Sequence, residues 1–250
     1  MLSPKIVLIT GANRGIGLEF VKQFLLLKSP PKVLFACCRQ PDTAKDLKGL
    51  ATGNPSVHVL KLDVCDQSSI DNAKKFVESK LQGEGLNLLI NNAGIIDRTN
   101  IYEASREEMA KIYETNAIGP LMVVQSFLPL LKQAARADFS APMSCNRAAI
   151  INISTTLGSI SENSSSGYYG YRASKAALNM ITTNMSLDLK AEGILATAIH
   201  PGWVRTDMGG PDAAIDTVTS VRGVMAVMEK LQGEEGTGKY YAYSGHQIGW

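Results

Sequence analysis

The pair of residues with the clearest chemical potential is Tyr171 and Lys175, which lie four positions apart in a segment of helical character. Residues at i and i+4 share one helix face, so a phenol and an ammonium can project toward the same site. A free phenol has a pKa of about 10, too high for easy proton exchange at neutral pH. A neighbouring cation favours the phenolate and lowers that pKa, which predicts a general acid or base. The same spacing also suits a core tyrosine beside a solvated lysine.

A second candidate is the glycine-rich stretch Thr10–Gly17, which follows an apolar run and opens a helical pattern. Glycines permit a tight turn and the close approach of a pyrophosphate, and the helix N-terminus favours the anion. The spacing G-x-x-x-G-x-G differs from the usual G-x-G-x-x-G, and an ordinary tight turn is the alternative. The candidate dinucleotide-binding residues of this stretch are Gly11, Asn13, Arg14, Gly15, Ile16 and Gly17.

The end of the second predicted strand distinguishes between the two nicotinamide cofactors. An acidic residue there would hydrogen-bond a ribose 2′-hydroxyl and repel a 2′-phosphate. The sequence instead has Arg39 at this position, and Arg14 lies inside the glycine-rich stretch. Two guanidiniums near one ribose suit a bidentate phosphate contact, although either arginine alone could be a solvated surface residue. Together they predict NADPH as the cofactor.

These candidates require a scaffold, and the rest of the sequence predicts one. Short apolar runs alternate with longer helical patterns, which is typical of a parallel sheet with helices on both faces and binding at the carboxyl ends of the strands. We therefore expect an α/β, single-domain Rossmann-type doubly wound fold over residues 1–250, with a seven-stranded, mostly parallel sheet. The predicted strands are 5–10, 33–37, 57–62, 86–90, 148–153, 195–199 and 239–243, and the predicted helices are 18–27, 69–82, 105–132, 171–190 and 212–231.

Composition excludes several other classes of protein. The 250 residues are 45% hydrophobic and 19% charged, which favours a large core over intrinsic disorder. The net charge is only +2 and no stretch is strongly basic, so nucleic acid is not an expected partner. No apolar run approaches the roughly 20 residues of a spanning helix, so no membrane association is expected. Four cysteines and three scattered histidines predict neither a disulfide framework nor a metal site, and the expected location is cytoplasmic.

Taken together, the motifs resemble those of the short-chain dehydrogenase/reductase family, from Lys5 to at least Gly202. A closer similarity to sniffer-type carbonyl reductases depends on Tyr171–Lys175, the His200–Gly210 segment and Trp250. The family landmarks, in the family's order, are Thr10–Gly17, Asp63-Val64, Asn91-Asn92-Ala93-Gly94, Asn116, Ile151-Asn152-Ile153-Ser154, Tyr171–Lys175 and Pro201-Gly202.

This resemblance implies where the remainder of the cofactor would bind. The positions follow the ends of predicted strands three, four and six. They are Asp63 and Val64 at the adenine, Asn91, Ala93 and Gly94 between the adenosine ribose and the nicotinamide, and Pro201, Gly202, Val204 and Thr206 at the nicotinamide, with Thr206 near its carboxamide.

The resemblance also implies catalytic roles. Tyr171 would donate a proton to a carbonyl oxygen, and Lys175 would hold the nicotinamide ribose hydroxyls and lower the pKa of the tyrosine. Asn116, in the long helix 105–132, would fix a water that links Lys175 to solvent. Asparagine is mildly unfavourable inside a helix, which supports a specific hydrogen-bonding role.

One catalytic position departs from the family pattern. The family has a serine three residues after the asparagine of its fifth strand, and counting from Asn152 gives Thr155. Threonine supplies the same donor and acceptor, with a methyl group that narrows the pocket. The preceding Ser154 remains an alternative if the strand end is bulged. Register and strand alternation favour Thr155.

The leading hypothesis is an NADPH-dependent carbonyl reductase that acts on aldehydes, ketones or quinones. The loop after Thr206 is short, which predicts an open pocket that tolerates varied small-molecule substrates. A narrower hydroxysteroid or alcohol dehydrogenase is the main alternative, and a catalytically silent NADPH-binding sensor is a third. A homodimer is expected through the helices that begin near Ser105 and Tyr171, with Ile118 and Leu121 exposed.

Overall fold

The seven apolar runs form one sheet in the computed structural model, which describes all 250 residues. The strand order is β3-β2-β1-β4-β5-β6-β7, and every neighbouring pair is parallel. The predicted seven-stranded Rossmann-type fold is confirmed, and the sheet is entirely parallel where a mostly parallel one was predicted. The strands are β1 (Ile6–Thr10), β2 (Val33–Cys38), β3 (Val57–Lys61), β4 (Leu88–Asn91), β5 (Ala149–Ile153), β6 (Leu195–His200) and β7 (Tyr240–Ala242).

Seven α-helices flank the sheet, and three of them differ from the prediction. The predicted helix 105–132 is divided by a π-helical turn at Glu114–Ile118, and α2 was not predicted because Gly49 and Gly53 weaken its helical pattern. The helices are α1 (Gly15–Leu25), α2 (Lys45–Gly53), α3 (Gln67–Leu81), α4 (Arg106–Tyr113), α5 (Gly119–Ala137), α6 (Tyr169–Leu189) and α7 (Thr217–Lys230).

The core lies on both faces of the sheet, which explains why the strands are continuous apolar runs rather than alternating ones. All five residues of β1 and of β5 are buried. On one face the sheet packs against α1 and α7, and on the other it packs against α3, α5 and α6. No helix combines the length and the apolarity that crossing a membrane would require.

The strand order reverses between β1 and β4, and this switch point opens a crevice at the carboxyl ends of the two strands. Two residues fix its walls. The amide of Asn92 donates to the carbonyls of Thr10 and Gly11 at 3.0 and 3.2 Å. In return, the Thr10 hydroxyl accepts the backbone N–H groups of Asn92 and Ala93 at 3.0 and 3.1 Å. The glycine-rich turn after β1 is thereby held against the segment after β4.

Candidate active site

The glycine-rich turn has the geometry of an anion site at the start of α1. Gly11 and Gly15 have φ angles of +65° and +54°, in the region that favours glycine. A Cβ on Gly17 would lie 2.2 Å from the Gly11 carbonyl oxygen. No side chain caps α1 and its first turn contains no acid, so its N–H groups and dipole are available to a phosphate. Of the other predicted residues, Asn13 and Ile16 are half-buried in the same turn.

The two predicted phosphate-binding arginines are both exposed. Arg14 donates from Nη1 to the Asp207 carboxylate at 2.5 Å, which ties the turn to the segment after β6. Arg39 follows β2, beside the loop that contains Asp63. Burial raises the pKa of the Cys65 thiol, the charge of Asp63 adds to this, and Arg39 opposes it. Arg39 and Asp63 therefore lie at the same edge of the sheet, where the adenosine end was predicted.

The residues predicted at the adenine and at the ribose differ in what their side chains contact. Asp63 accepts the backbone N–H of Cys65 at 3.0 Å, and Val64 packs so closely on α5 that a Cβ on Gly119 would lie 2.9 Å from its side chain. Asn91 is only 3% exposed, and its amide donates to Asn152 Oδ1 at 2.9 Å. The Asn91 side chain is thus directed into the sheet, and only its backbone is left for the predicted contact.

Tyr171 and Lys175 both lie on the buried face of α6. The ammonium of Lys175 donates to the Ile153 carbonyl at 2.7 Å, and burial lowers the pKa of Lys175 to about 8. Burial also raises the pKa of Tyr171 to about 12, and the nearby Thr155 hydroxyl partly offsets the increase. The net pKa shift of the phenol is therefore upward and not downward as expected, because desolvation disfavours the phenolate, and the contribution of Lys175 to this pKa stays a prediction.

The hydroxyls of Ser154 and Thr155 point to different partners. Ser154 is 2% exposed, and its Oγ donates to Asn179 Oδ1 on α6 at 2.6 Å. Thr155 Oγ1 accepts the N–H of Leu157 at 3.3 Å and lies beside the Tyr171 phenol. Of the two alternatives, the geometry favours Thr155 as the hydroxyl that faces the tyrosine, and Ser154 fixes the end of β5 against α6.

Asn116 lies in the π-helical turn and is fully buried. Its side-chain amide forms two bonds to the backbone of Ile95, accepting from N at 2.9 Å and donating to O at 2.8 Å. It also donates to Ser174 Oγ at 3.0 Å. Pro120 has no N–H, so the α-helical bond that would occupy the Asn116 carbonyl does not form. The side-chain amide is therefore occupied by protein partners.

Gly94 lies directly beside Asn116 and Lys175. A Cβ at Gly94 would lie 3.2 Å from Asn116 Oδ1 and 3.7 Å from Lys175 Nζ. Because Gly94 has no side chain, the backbone of this segment approaches the buried Lys175 ammonium closely.

The segment 202–216, here called the lid, follows β6 and the buried Pro201. Gly202 has a φ angle of +88°, and Val204 pairs with Ile215 at the end of the lid. Thr206 Oγ1 accepts the Gly209 N–H at 3.1 Å, and the Thr206 methyl would lie 3.2 Å from a Cβ on Gly15. The predicted nicotinamide end is therefore directly beside the glycine-rich turn.

Two residues of the site were missed by the sequence analysis. Asn92 belongs to the recognised N-N-A-G stretch but was assigned no role, and it is the clamp between β1 and β4 described above. Asp97 accepts the backbone N–H groups of Tyr171 and Gly170 at 2.8 and 3.3 Å. Asp97 lies 74 residues from Tyr171 along the chain, and no local pattern links the two.

Comparison with known proteins places this geometry in a family. The short chain dehydrogenase family model matches residues 5–215. The NADPH-bound carbonyl reductase from chicken fatty liver is 43% identical, with a TM-score of 0.97 over 100% of this chain and 96% of that one. The carbonyl reductase Sniffer of Drosophila melanogaster is 42% identical, with a TM-score of 0.96 over 99% and 100% of the two chains.

A curated relative, the C-signal of Myxococcus xanthus, is 38% identical over 166 residues, which are 66% of this chain and 93% of that protein. The predicted resemblance to sniffer-type carbonyl reductases is confirmed by the two structures above. With its parallel sheet, its glycine-lined crevice and its buried tyrosine–lysine pair, this chain belongs to the short-chain dehydrogenase family.

Proposed function

We propose that the protein is an NADPH-dependent carbonyl reductase that acts on aldehydes, ketones or quinones, with Tyr171 as the proton donor. The observation that carries the proposal is the convergence of the Thr155 hydroxyl, the Tyr171 phenol and the Lys175 ammonium at the inner end of the crevice. The similarity to an NADPH-bound carbonyl reductase over the whole chain supports the same assignment.

The residues of the crevice fit a dinucleotide with a 2′-phosphate. The uncapped N-terminus of α1 offers N–H groups and a positive dipole end to a pyrophosphate, and Gly11 and Gly15 leave room for its approach. Arg39 lies at the adenosine end with no acidic residue at its position, and Arg14 is available once it exchanges Asp207 for a phosphate. When bound, NADPH would supply the hydride that reduces the carbonyl carbon.

The protonation states of Tyr171 and Lys175 at neutral pH suit the reduction of a carbonyl. A Tyr171 pKa of about 12 keeps the phenol protonated at neutral pH, so it is a proton donor rather than a base in the free protein. A Lys175 pKa of about 8 leaves the ammonium charged but able to exchange its proton near neutrality. The Thr155 hydroxyl would hold the substrate oxygen against the phenol. As the phenol loses its proton, the Lys175 charge would stabilise the phenolate.

Reprotonation would pass through Lys175 and a water held by Asn116. Because Pro120 cannot donate, the Asn116 carbonyl receives no bond from the residue four positions on, and it would be the acceptor for this water. We infer that the π-helical turn is maintained for this purpose, since such turns recur at functional sites.

Two exposed apolar side chains on the loops that follow β5 and β6 favour apolar or aromatic carbonyl substrates. Ile160, five residues beyond Thr155, is 79% exposed, and Trp203 of the lid is 56% exposed with its Nε1 donating to the Gly209 carbonyl at 2.8 Å. An indole fixed in this way offers a flat apolar face to a planar substrate. This observation favours ketones and quinones over small polyols.

We also propose a homodimer through α5 and α6. Leu121 on α5 and Met180 and Leu187 on α6 are 36%, 62% and 70% exposed, so both helices present apolar side chains to solvent. Ile118, expected to be exposed, is half-buried at the end of the π-helical turn. Light scattering coupled to gel filtration would give twice the chain mass of 26.9 kDa, and a monomer would overturn this part of the proposal.

The reductase proposal is tested by the steady-state rate of NADPH oxidation with an aromatic ortho-quinone, repeated with NADH. Turnover with a clear NADPH preference is expected. Turnover with NADH alone would refute the cofactor assignment, and tight NADPH binding without turnover on any carbonyl would favour the sensor alternative.

A further inference from the structure

We propose that Asp97 is a positioning residue for the catalytic tyrosine: its buried carboxylate orders the first turn of α6 and so sets the place of the Tyr171 phenol. The inference rests on the function proposed for Tyr171. It concerns a residue outside the catalytic set, on a different segment of the chain.

The first turn of α6 lacks a side-chain cap from its own N-cap residue. Its N-cap residue, Tyr168, has a left-handed φ of +56° and provides no capping side chain. Gly170, the second residue of the helix, favours the disordered backbone by its conformational freedom. Tyr171 is the third residue, within the turn where helices fray. A catalytic side chain at such a position needs support from elsewhere in the fold.

Asp97 provides that support directly. Its two carboxylate oxygens accept the N–H groups of Tyr171 at 2.8 Å and Gly170 at 3.3 Å, two of the donors that a helix start leaves unpaired. The Thr99 hydroxyl donates to the same carboxylate at 2.5 Å, and the Thr99 carbonyl accepts the Tyr168 N–H at 2.8 Å. Asp97 is 6% exposed, so these charge-assisted bonds are shielded from water.

The carboxylate is itself rigidly placed. Two residues earlier, Ile95 is bonded through both its N–H and its carbonyl to the amide of Asn116. On the other side, a Cβ at Gly170 would lie 3.4 Å from Asp97 Oδ2 and 3.1 Å from Ile112, so the helix start is packed tightly onto the carboxylate. The segment after β4 therefore connects Asn116 to the first turn of α6 without a flexible link.

The test compares Asp97→Ala, Asp97→Asn and Thr99→Val with a matched control, Asp66→Ala. Asp66 accepts two first-turn N–H groups of α3 at 2.9 and 3.3 Å through one oxygen of an exposed carboxylate, on a helix that contains no catalytic residue. The measurements are the Kd for NADPH, from fluorescence titration, and kcat with an ortho-quinone, expressed per NADPH-binding site so that unfolded protein does not count.

We expect kcat to fall about tenfold or more in Asp97→Ala and several-fold in Asp97→Asn and Thr99→Val, with the Kd within about twofold of wild type. Asp66→Ala should keep the wild-type kcat. Should Asp97→Ala not fold, the two milder variants decide the outcome. A kcat within twofold of wild type in the folded Asp97 and Thr99 variants, or an equal loss in Asp66→Ala, would overturn the inference.

An independent readout separates this inference from the proposed function. Amide hydrogen exchange at Gly170 and Tyr171 should be accelerated in the Asp97 variants and unchanged in Asp66→Ala. If the wild-type protein turns over no carbonyl, the proposed function is wrong. If amide exchange at Gly170 and Tyr171 is not accelerated in the Asp97 variants, the positioning inference is wrong.

Discussion

The two ends of the crevice are built by different means. At the phosphate end, the site consists of backbone: Gly11, Gly15 and Gly17 shape a turn whose N–H groups face outward. At the catalytic end, the site consists of side chains that are far apart in sequence and hydrogen-bonded to one another, such as Asn116 and Ser174. Adding atoms at the phosphate end should therefore impair NADPH binding. Removing polar atoms at the catalytic end should lower kcat.

The largest effect is expected at the phosphate end, in Gly17→Ala. Its Cβ would lie 2.2 Å from the Gly11 carbonyl oxygen and 2.6 Å from Asn92 Nδ2, so the turn and its clamp must shift. We expect loss of measurable NADPH binding and about 1–3 kcal/mol of destabilisation. Calorimetric titration and urea unfolding would measure both.

A matched glycine is available for this comparison. Gly49 in α2 has no atom within 4 Å of its added Cβ, so Gly49→Ala should stabilise by roughly 0.5–1 kcal/mol and leave NADPH affinity unchanged. Normal NADPH binding by Gly17→Ala would contradict the backbone account of this end.

At the catalytic end, Thr155→Val should lower kcat by about two orders of magnitude, because it removes the hydroxyl beside the phenol while keeping the shape. Ser154→Ala should cost far less in kcat, since the Ser154 hydroxyl is bonded to Asn179. Thr155→Ser should retain activity. The reverse order, with Ser154→Ala the more damaging in steady-state kinetics, would make Ser154 the catalytic hydroxyl.

Arg39→Ala should weaken NADPH affinity by about tenfold or more and leave NADH affinity unchanged, because a charged hydrogen bond to phosphate is lost. The comparison of the two dissociation constants isolates the 2′-phosphate. An equal loss of affinity for NADPH and NADH would show that Arg39 does not bind the 2′-phosphate.

A pH dependence of stability is also expected from Lys175. Its pKa is about 8 in the folded protein, against an ordinary value of 10.5. Between these values the unfolded chain binds more protons, so the free energy of unfolding should rise with pH. Urea unfolding from about pH 8 to about pH 10 should show wild type gaining stability relative to Lys175→Met. A relative loss over this interval would contradict the buried state of the ammonium.

The difference between the two ends also explains what could be predicted from the sequence. The strands and the glycine-rich turn depend on neighbouring residues, and both were predicted. The π-helical turn at Glu114–Ile118 was missed although Pro120 is a local signal, because the apolar pattern continues through it. The role of Asp97 has no local signal, since its bond to Tyr171 spans 74 residues and depends on the assembled fold.

For a related reason, the pKa of Tyr171 is raised and not lowered as the sequence predicted. The i, i+4 spacing places Lys175 on the same helix face, but it does not determine burial, and burial sets the direction of both pKa shifts. Sequence spacing thus predicted that the two groups share a helix face, and only the packed structure shows that burial acts on both pKa values.

The central claim, that Tyr171 is the proton donor of a carbonyl reductase, is tested most directly by Tyr171→Phe. The measurement pairs the Kd for NADPH with the single-turnover rate of NADPH oxidation by an ortho-quinone. We predict a Kd within about twofold of wild type and a rate lower by two or more orders of magnitude. A Tyr171→Phe variant that oxidises NADPH at the wild-type rate would contradict the claim.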